Sequence, residues 1–491
     1  MKIEVTHESK GNIQTVIYPY LKDQWRANIQ ILESEYGLSA KVLDPLLDQD
    51  GTKLVIENDR NRKIIFLGLS EGVLPGKIRT DTIHAVRKNA GSFSFPILLD
   101  LRSLQDHRII FEIINGLCLS SYHLGMYKSE DSPIDRRLKK SHAVVLLGNE
   151  QNEKVKSIIQ EAQALAIAQK NTMDLVNGAG NLIHANALSK KAKKLSESFK
   201  SVSVKIFDKK KIKQLGLGCL LAVNQGSQWP PVFILLEYKP AHPKKSGLKK
   251  LGLAGKGITF DTGGLSIKPS ANLHYMKSDL GGGAAVLGVV EAAARLEIPV
   301  SIVAAIPVTD NCIDAASFKP GDVIQSYLGK TIEIINTDAE GRLILADALS
   351  FLVKNHKPDV LIDLATLTGS CVQTFGYHCA GLFSNDQELS DQLVKAGLES
   401  GEKVWPLPMW AEYDEMLQSD IADIKNLSNK PVAGAISAAK FLQAFVLNHP
   451  SWAHLDIAGV ALKENSFGND KVASAFGVRL IIDFMQKYLV R

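Results

Sequence analysis

Residues 331–349, TIEIINTDAEGRLILADAL, constrain the fold more than any other stretch of the chain. Thr331 to Ile335 are β-branched or alternate apolar with acidic, the pattern of a strand. From Leu343 onward, Leu345, Ala346, Leu349 and Leu352 recur at helical spacing. The connector between them, Asn336 to Arg342, carries two carboxylates and a guanidinium. A strand running through a short polar connector into a helix is a unit of an α/β fold, and in such folds ligands bind at strand ends. In an extended segment residues i and i+2 point the same way, so Asp338 and Glu340 are expected to face one point. Two close carboxylates repel unless positive charge lies between them; Arg342 would supply it, and a metal ion would supply it better.

A second stretch, LGLAGKGITFDTGGLSIKP (Leu251–Pro269), offers residues of the same kind. Asp261 follows the apolar run Gly257–Phe260 and precedes the turn Thr262-Gly263-Gly264, with Lys256 inside the run and Lys268 after the turn. Asp279 precedes three consecutive glycines, which allow close backbone approach. Pooled, Asp261, Asp279, Asp338 and Glu340 suit two divalent metals better than one. There is no HExxH and no histidine pair at metal spacing, so a histidine-based zinc site is not expected. Oxygen-rich ligation fits Mn²⁺, Mg²⁺ or Zn²⁺. Each residue alone reads more readily as a surface ion pair or a helix cap; their joint placement at strand ends argues against that reading, but spacing does not bring the two stretches together in space.

At 491 residues the chain is long enough for two domains. Within 1–150, Lys63–Leu69, Arg108–Ile114 and His142–Leu147 read as buried strands and Thr80–Lys88 as a helix, without a chemical cluster. Residues 151–173 read as a long linker helix, rich in alanine and free of Gly and Pro. A net charge of +5 does not by itself imply nucleic acid or an anionic membrane. Lysines cluster at Lys190–Lys194, Lys209–Lys213 and Lys244–Lys250, either as a basic face or as solvated helix ends and loops. The N-terminus lacks an apolar signal core, no apolar run is long enough to span a bilayer, and the five cysteines form no Cys-x-x-Cys pair. These features point to buried thiols, a cytoplasmic location and no membrane partner.

NTDAEGRL (Asn336–Leu343), with GKGITFDTGG-x-SIK, MK-x-D, DLATLTGS, SD-x-AD-x-KN, AGAI-x-AAKFL and WAHLDIAG, resembles the leucine aminopeptidase (cytosol aminopeptidase) family of dinuclear metallopeptidases over roughly residues 174–485. The resemblance implies an α/β protein of two domains: a smaller N-terminal α/β domain at 1–150 for assembly or gating, and a larger catalytic α/β domain at 174–491 with a central mixed sheet flanked by helices. Residue by residue it implies Lys256, Asp261, Asp279, Asp338 and Glu340 as ligands of two Mn or Zn ions, with Asp261 and Glu340 bridging. Lys268 and Arg342 match the catalytic positions, Lys268 polarising the carbonyl and Arg342 holding a bicarbonate-type general base. Met276, Thr366, Gly369, Ala458 and Ala461 match a side-chain pocket suited to Leu and other apolar N-terminal residues. Family members often carry Met where Ala461 stands. The implied substrates are peptides with a free N-terminus, and the implied assembly is a homohexamer. Some members of this family also bind DNA, an alternative role to which the lysine clusters would lend themselves.

Overall fold

The computed structural model of the protein describes residues 1–8, 13–47, 52–57, 62–70, 72–148, 153–241, 248–464, 467–468 and 470–490. Residues 244–247 of the third lysine cluster and 151–152 of the expected linker helix lie outside the described residues. The chain forms two compact units, residues 1–167 with 465–470 and residues 168–464 with 471–491. One helix, Glu153–Asn177, carries the chain from the first into the second.

The first unit holds β1 (Lys2–Thr6), β2 (Thr15–Leu21), β3 (Thr52–Glu57), β4 (Lys63–Leu69), β5 (Ile97–Asp100) and β6 (His142–Leu146) in the order β1-β6-β5-β2-β4-β3. All pairs are parallel except β3 with β4. The strand pleat divides β4 between two cores. Ile65 and Leu67 join Ile110, Ile113 and Leu117, while Ile64 and Phe66 join Tyr18, Trp25 and Tyr36. The expected helix at Thr80–Lys88 lies within Pro75–Asn89. Arg108–Ile114, expected as a strand, is instead part of the helix His107–Ser120. Its β-branched run is overruled by position. Asp106 caps the first turn by accepting from Arg108 N, and the buried Ile110, Ile113, Ile114 and Leu117 fall at i, i+3, i+4 and i+7.

In the second unit the strands are β7 (Val202–Phe207), β8 (Val232–Tyr238), β9 (Lys250–Gly255), β10 (Gly257–Asp261), β11 (Ser301–Asn311), β12 (Val323–Gln325), β13 (Thr331–Glu333), β14 (Val360–Ala365), β15 (Ala380–Ser384), β16 (Val404–Pro406), β17 (Ile424–Lys425), β18 (Trp452–Asp456) and the short pair β19 (Leu462–Lys463) and β20 (Val472–Ala473). The main sheet runs β16-β15-β18-β14-β9-β11-β8-β7, with β10 also on β11, and it is mixed. β18, β14, β9 and β11 are parallel neighbours, while β8 and β15 pair antiparallel. β12, β13 and β17 form a separate small sheet.

Two consecutive strands share one long partner. β9 pairs with Ser301–Ala305 of β11, and β10 pairs with Val308–Asn311. Lys256 sits at the break between them. Its N donates to Leu364 O (3.0 Å) and its carbonyl accepts from Gly283 N (2.7 Å), so the helix Gly281–Arg295 begins directly against the sheet. That approach requires glycine: a Cβ at Gly282 would overlap the carbonyl oxygen of Leu364. Gly282→Ala is therefore expected to cost at least ~1–3 kcal/mol by overpacking. Gly369→Ala, where a Cβ meets nothing within 4 Å, should change stability by less than about 1 kcal/mol. Denaturant unfolding of the two variants checks the difference.

Candidate active site

The site lies in the second unit, where strand ends meet helix N-termini. Asp261 closes β10, Asp279 ends the 3₁₀ turn Leu273–Ser278, and Thr366 follows β14. The helix Glu340–His356 starts at Glu340 itself, three residues earlier than the apolar spacing indicated. Strand β13 ends at Glu333, so the strand is also shorter than expected. Asp338 and Glu340 consequently converge not by strand alternation but through a turn at Thr337–Asp338 that leads into the first helical residue. Asn336 Oδ1 supports that turn by accepting from Asp338 N (2.7 Å).

Here the two stretches come together. Carboxylate oxygens of Asp261, Asp338 and Glu340 lie within 4.8 Å of one another. Lys256 Nζ stands 2.7 Å from Asp279 Oδ2 and 2.9 Å from Glu340 Oε1. Lys268 Nζ stands 2.8 Å from Asp261 Oδ2 and also contacts Asp338 Oδ1. Gly341 leaves room for the Lys256 side chain, since a Cβ there would come 2.5 Å from its Cε. Glu340 is 1 % exposed; its Oε1 meets the Lys256 ammonium, while its Oε2 is buried without a hydrogen-bond partner. Buried carboxylates are normally paired or bound to metal. The donor set therefore fits divalent cations: hard oxygen ligands, convergent and under-satisfied.

Electrostatics agree. Burial, then the Asp261 charge, pushes the Glu340 carboxyl up to about 8 against the pull of Lys256. Asp338 is pushed up to about 6 by burial and Asp261, against Lys268. Burial also raises Asp279. For Lys256 burial acts to lower the pKa, but Asp279, Glu340 and Asp261 outweigh it and the ammonium is favoured. Lys268 follows the same pattern, with Asp261 as its largest support. Burial lowers Arg342 to about 10, with Glu340, Asp456 and Asp338 opposing. Its guanidinium donates to Asn426 O (2.9 Å), while its Nε is buried without a partner.

A cavity of about 540 Å³ opens over this cluster. Met276, Thr366, Gly369 and Ala458 line it, and so do Asn336, Leu367 and Leu427, which sequence reasoning had not singled out. Ala461 does not line it; it is 6 % exposed, with its N tied to Ile457 O (3.0 Å). Thr366 has a second task, since its hydroxyl donates to Asp279 Oδ1 (2.7 Å). Asn426 was also missed, although it closes the quoted SD-x-AD-x-KN stretch. Its side chain accepts from Ile335 N (2.8 Å) and donates to Asn336 O (2.7 Å), holding the connector. The lysines at 190, 193 and 194 are exposed on the helix Ala185–Ser198, opposite its buried Ala185, Leu188, Ala192 and Leu195.

The profile of the cytosol aminopeptidase family, catalytic domain, matches residues 170–482. Along nearly its whole length (99 % of this chain, 100 % of the relative) the chain is 37 % identical to the "Probable cytosol aminopeptidase" of Chlorobium phaeobacteroides. The chain belongs to the cytosol aminopeptidase family. Its fold agrees: a tomato leucine aminopeptidase mutant superposes with a TM-score of 0.87 at 28 % identity, covering 99 % of this chain and 96 % of that one. The bottromycin maturation enzyme BotP, solved in complex with Mn, gives 0.82 at 27 % identity over 96 % of this chain and 99 % of its own. Membership makes the chain a metal-dependent aminopeptidase, a hydrolase.

A pH prediction follows from the Glu340 shift. In the metal-free fold Glu340 keeps its proton up to about pH 8, whereas its ordinary value is 4.5. Between those limits the unfolded chain holds fewer protons than the fold, so metal-free stability should fall as pH rises through this window. Saturating Mn²⁺ competes with that proton and should reverse the slope. Thermal unfolding from pH 5 to 8 with and without Mn²⁺ checks both signs.

Proposed function

We propose that the protein releases N-terminal amino acids, Leu and other apolar residues preferentially, from peptides with a free N-terminus. Lys256, Asp261, Asp279, Asp338 and Glu340 would hold two divalent ions, Mn or Zn. The observation that carries this reading is the convergence of Asp261, Asp338 and Glu340 carboxylate oxygens within 4.8 Å of one another, with the buried Glu340 Oε2 left without a hydrogen-bond partner. Bound there, the ions would supply a nucleophilic water at neutral pH, Lewis acidity toward the scissile carbonyl and an anchor for the substrate's α-amine.

The chain's own groups complete the chemistry. Lys268, kept as an ammonium by Asp261 and Asp338, donates to the carbonyl oxygen and stabilises the oxyanion as it forms. Arg342 stands in the first turn of the helix Glu340–His356, where backbone N–H groups and the helix dipole favour an anion. With its Nε unspent, it is suited to hold a bicarbonate-type general base that accepts the proton of the attacking water. The cavity supports the proposed side-chain preference: Met276, Leu367, Leu427 and Ala458 give it an apolar wall. A homohexamer in the cytoplasm belongs to the same reading and is supported by the family resemblance alone.

Hydrolysis of a leucyl chromogenic amide with added Mn²⁺ tests it. Activity should vanish on exhaustive chelation and in the double variant Asp338→Ala/Glu340→Ala, and an N-acetylated substrate should be refused. Lys268→Met should lower kcat about 10²- to 10³-fold, the scale for one oxyanion donor. Activity that survives chelation or the double substitution overturns the proposal.

A further inference from the structure

The two ligand-bearing stretches are tied by a residue that is neither a ligand nor part of the cavity. Asn311 ends β11, pairs in register with Asp261 and is fully buried. Its Nδ2 donates to Asp261 Oδ1 (2.9 Å) and to the carbonyl of Thr337 (3.0 Å). One acceptor is a site carboxylate from the 251–269 stretch; the other is the backbone immediately before Asp338. Both acceptors fix the amide's orientation, because with the group turned over its oxygen would face a carboxylate and a carbonyl.

The remaining contacts close a ring around this link. Asp261 Oδ1 also accepts from Gly263 N (2.9 Å), which leaves Oδ2 directed at Lys268. Thr337 Oγ1 donates to Gly263 O (2.6 Å) and accepts from Ser266 N (2.8 Å), and Ser266 Oγ accepts from Thr337 N (3.2 Å). Gly264 has φ +63°, and a Cβ there would come 3.0 Å from Asn311 Oδ1 and 2.9 Å from Thr337 Oγ1. The turn thus needs glycine both for its backbone and for the space the link occupies.

We propose that Asn311 is a positioning residue of the metal site. It occupies one oxygen of Asp261, so that the other enters the site, and it holds Thr337, hence Asp338, at a set distance from Asp261. Partners of this kind orient metal ligands, and their loss typically weakens metal binding or activity about 10- to 100-fold. The inference rests on the two-metal reading above.

The test measures Mn²⁺ affinity of the metal-free full chain by calorimetric titration, alongside kcat, KM and far-UV circular dichroism. Asn311→Leu removes the donor at similar size; Asn311→Asp keeps the shape but turns the donor into an acceptor. Wild type should bind Mn²⁺. Both variants should fold, bind it about 10- to 100-fold more weakly and lose kcat more than they change KM. Should Asn311→Leu fail to fold, Asn311→Asp decides on the same readouts. A folded variant that binds Mn²⁺ as tightly as wild type, or tighter, overturns the inference, even if its melting temperature has dropped. Wild type that binds no Mn²⁺ overturns the two-metal reading itself.

Discussion

Buried negative charge that the chain does not neutralise by itself governs the catalytic half of this protein. Glu340, Asp261 and Asp279 are 1 %, 2 % and 6 % exposed. Lys256 is shared by Asp279 and Glu340, and Lys268 by Asp261 and Asp338. Four acids against two lysines leave a surplus of two negative charges. At an effective dielectric of ~20, two unit charges about 5 Å apart repel by ~3 kcal/mol, which adds to burial in favouring the protonated Glu340 of the metal-free fold. With two divalent ions and a neutral Lys256, the same cluster would carry a surplus of one positive charge, before Arg342 is counted. That change of sign would favour both an oxyanion beside Lys268 and an anion beside Arg342, as the proposed chemistry requires.

Such a cluster holds together only if the backbone delivers it within ångströms. The helix Gly281–Arg295 begins against Lys256 because Gly282 has no side chain, and the helix Glu340–His356 begins beside the Lys256 side chain because Gly341 has none. Both helix N-termini point partial positive charge toward the acids. Glu340 is the first residue of its helix, where a carboxylate is most favoured. Glycine makes the close approach possible and the helix dipoles oppose the repulsion among the carboxylates.

Much of this was legible in the chain. β4 and β6 lie where apolar, β-branched runs placed them, and the seven ligand and catalytic candidates come together beside one cavity. Local pattern failed where tertiary context decided. Arg108–Ile114 is rich in strand-formers, yet an Asp106 cap and a helical buried face make it a helix. Asp338 and Glu340 face one point for a different reason than alternation, because β13 stops at Glu333. Asn311 and Asn426 gave no signal of their own. An asparagine's role is set by which acceptors the fold brings within 3 Å, and those lie 26 and 50 residues from Asn311 and 90 from Asn426.

Lys256 shows where charge reasoning alone would mislead. In the metal-free fold it is a counterion, its ammonium favoured by Asp279 and Glu340 over the cost of burial. A metal ligand must instead offer a lone pair, so the same lysine must give up a proton that its neighbours stabilise. On the two-metal reading the two roles would be compatible, because an entering ion would replace the charge that the ammonium supplies to Asp279 and Glu340 at 2.7 and 2.9 Å. Lys256 is then best understood as a placeholder for the metal. It pairs with both buried acids in the metal-free fold, and on the same reading the space beside Gly341 would let its nitrogen remain in the site once an ion is bound.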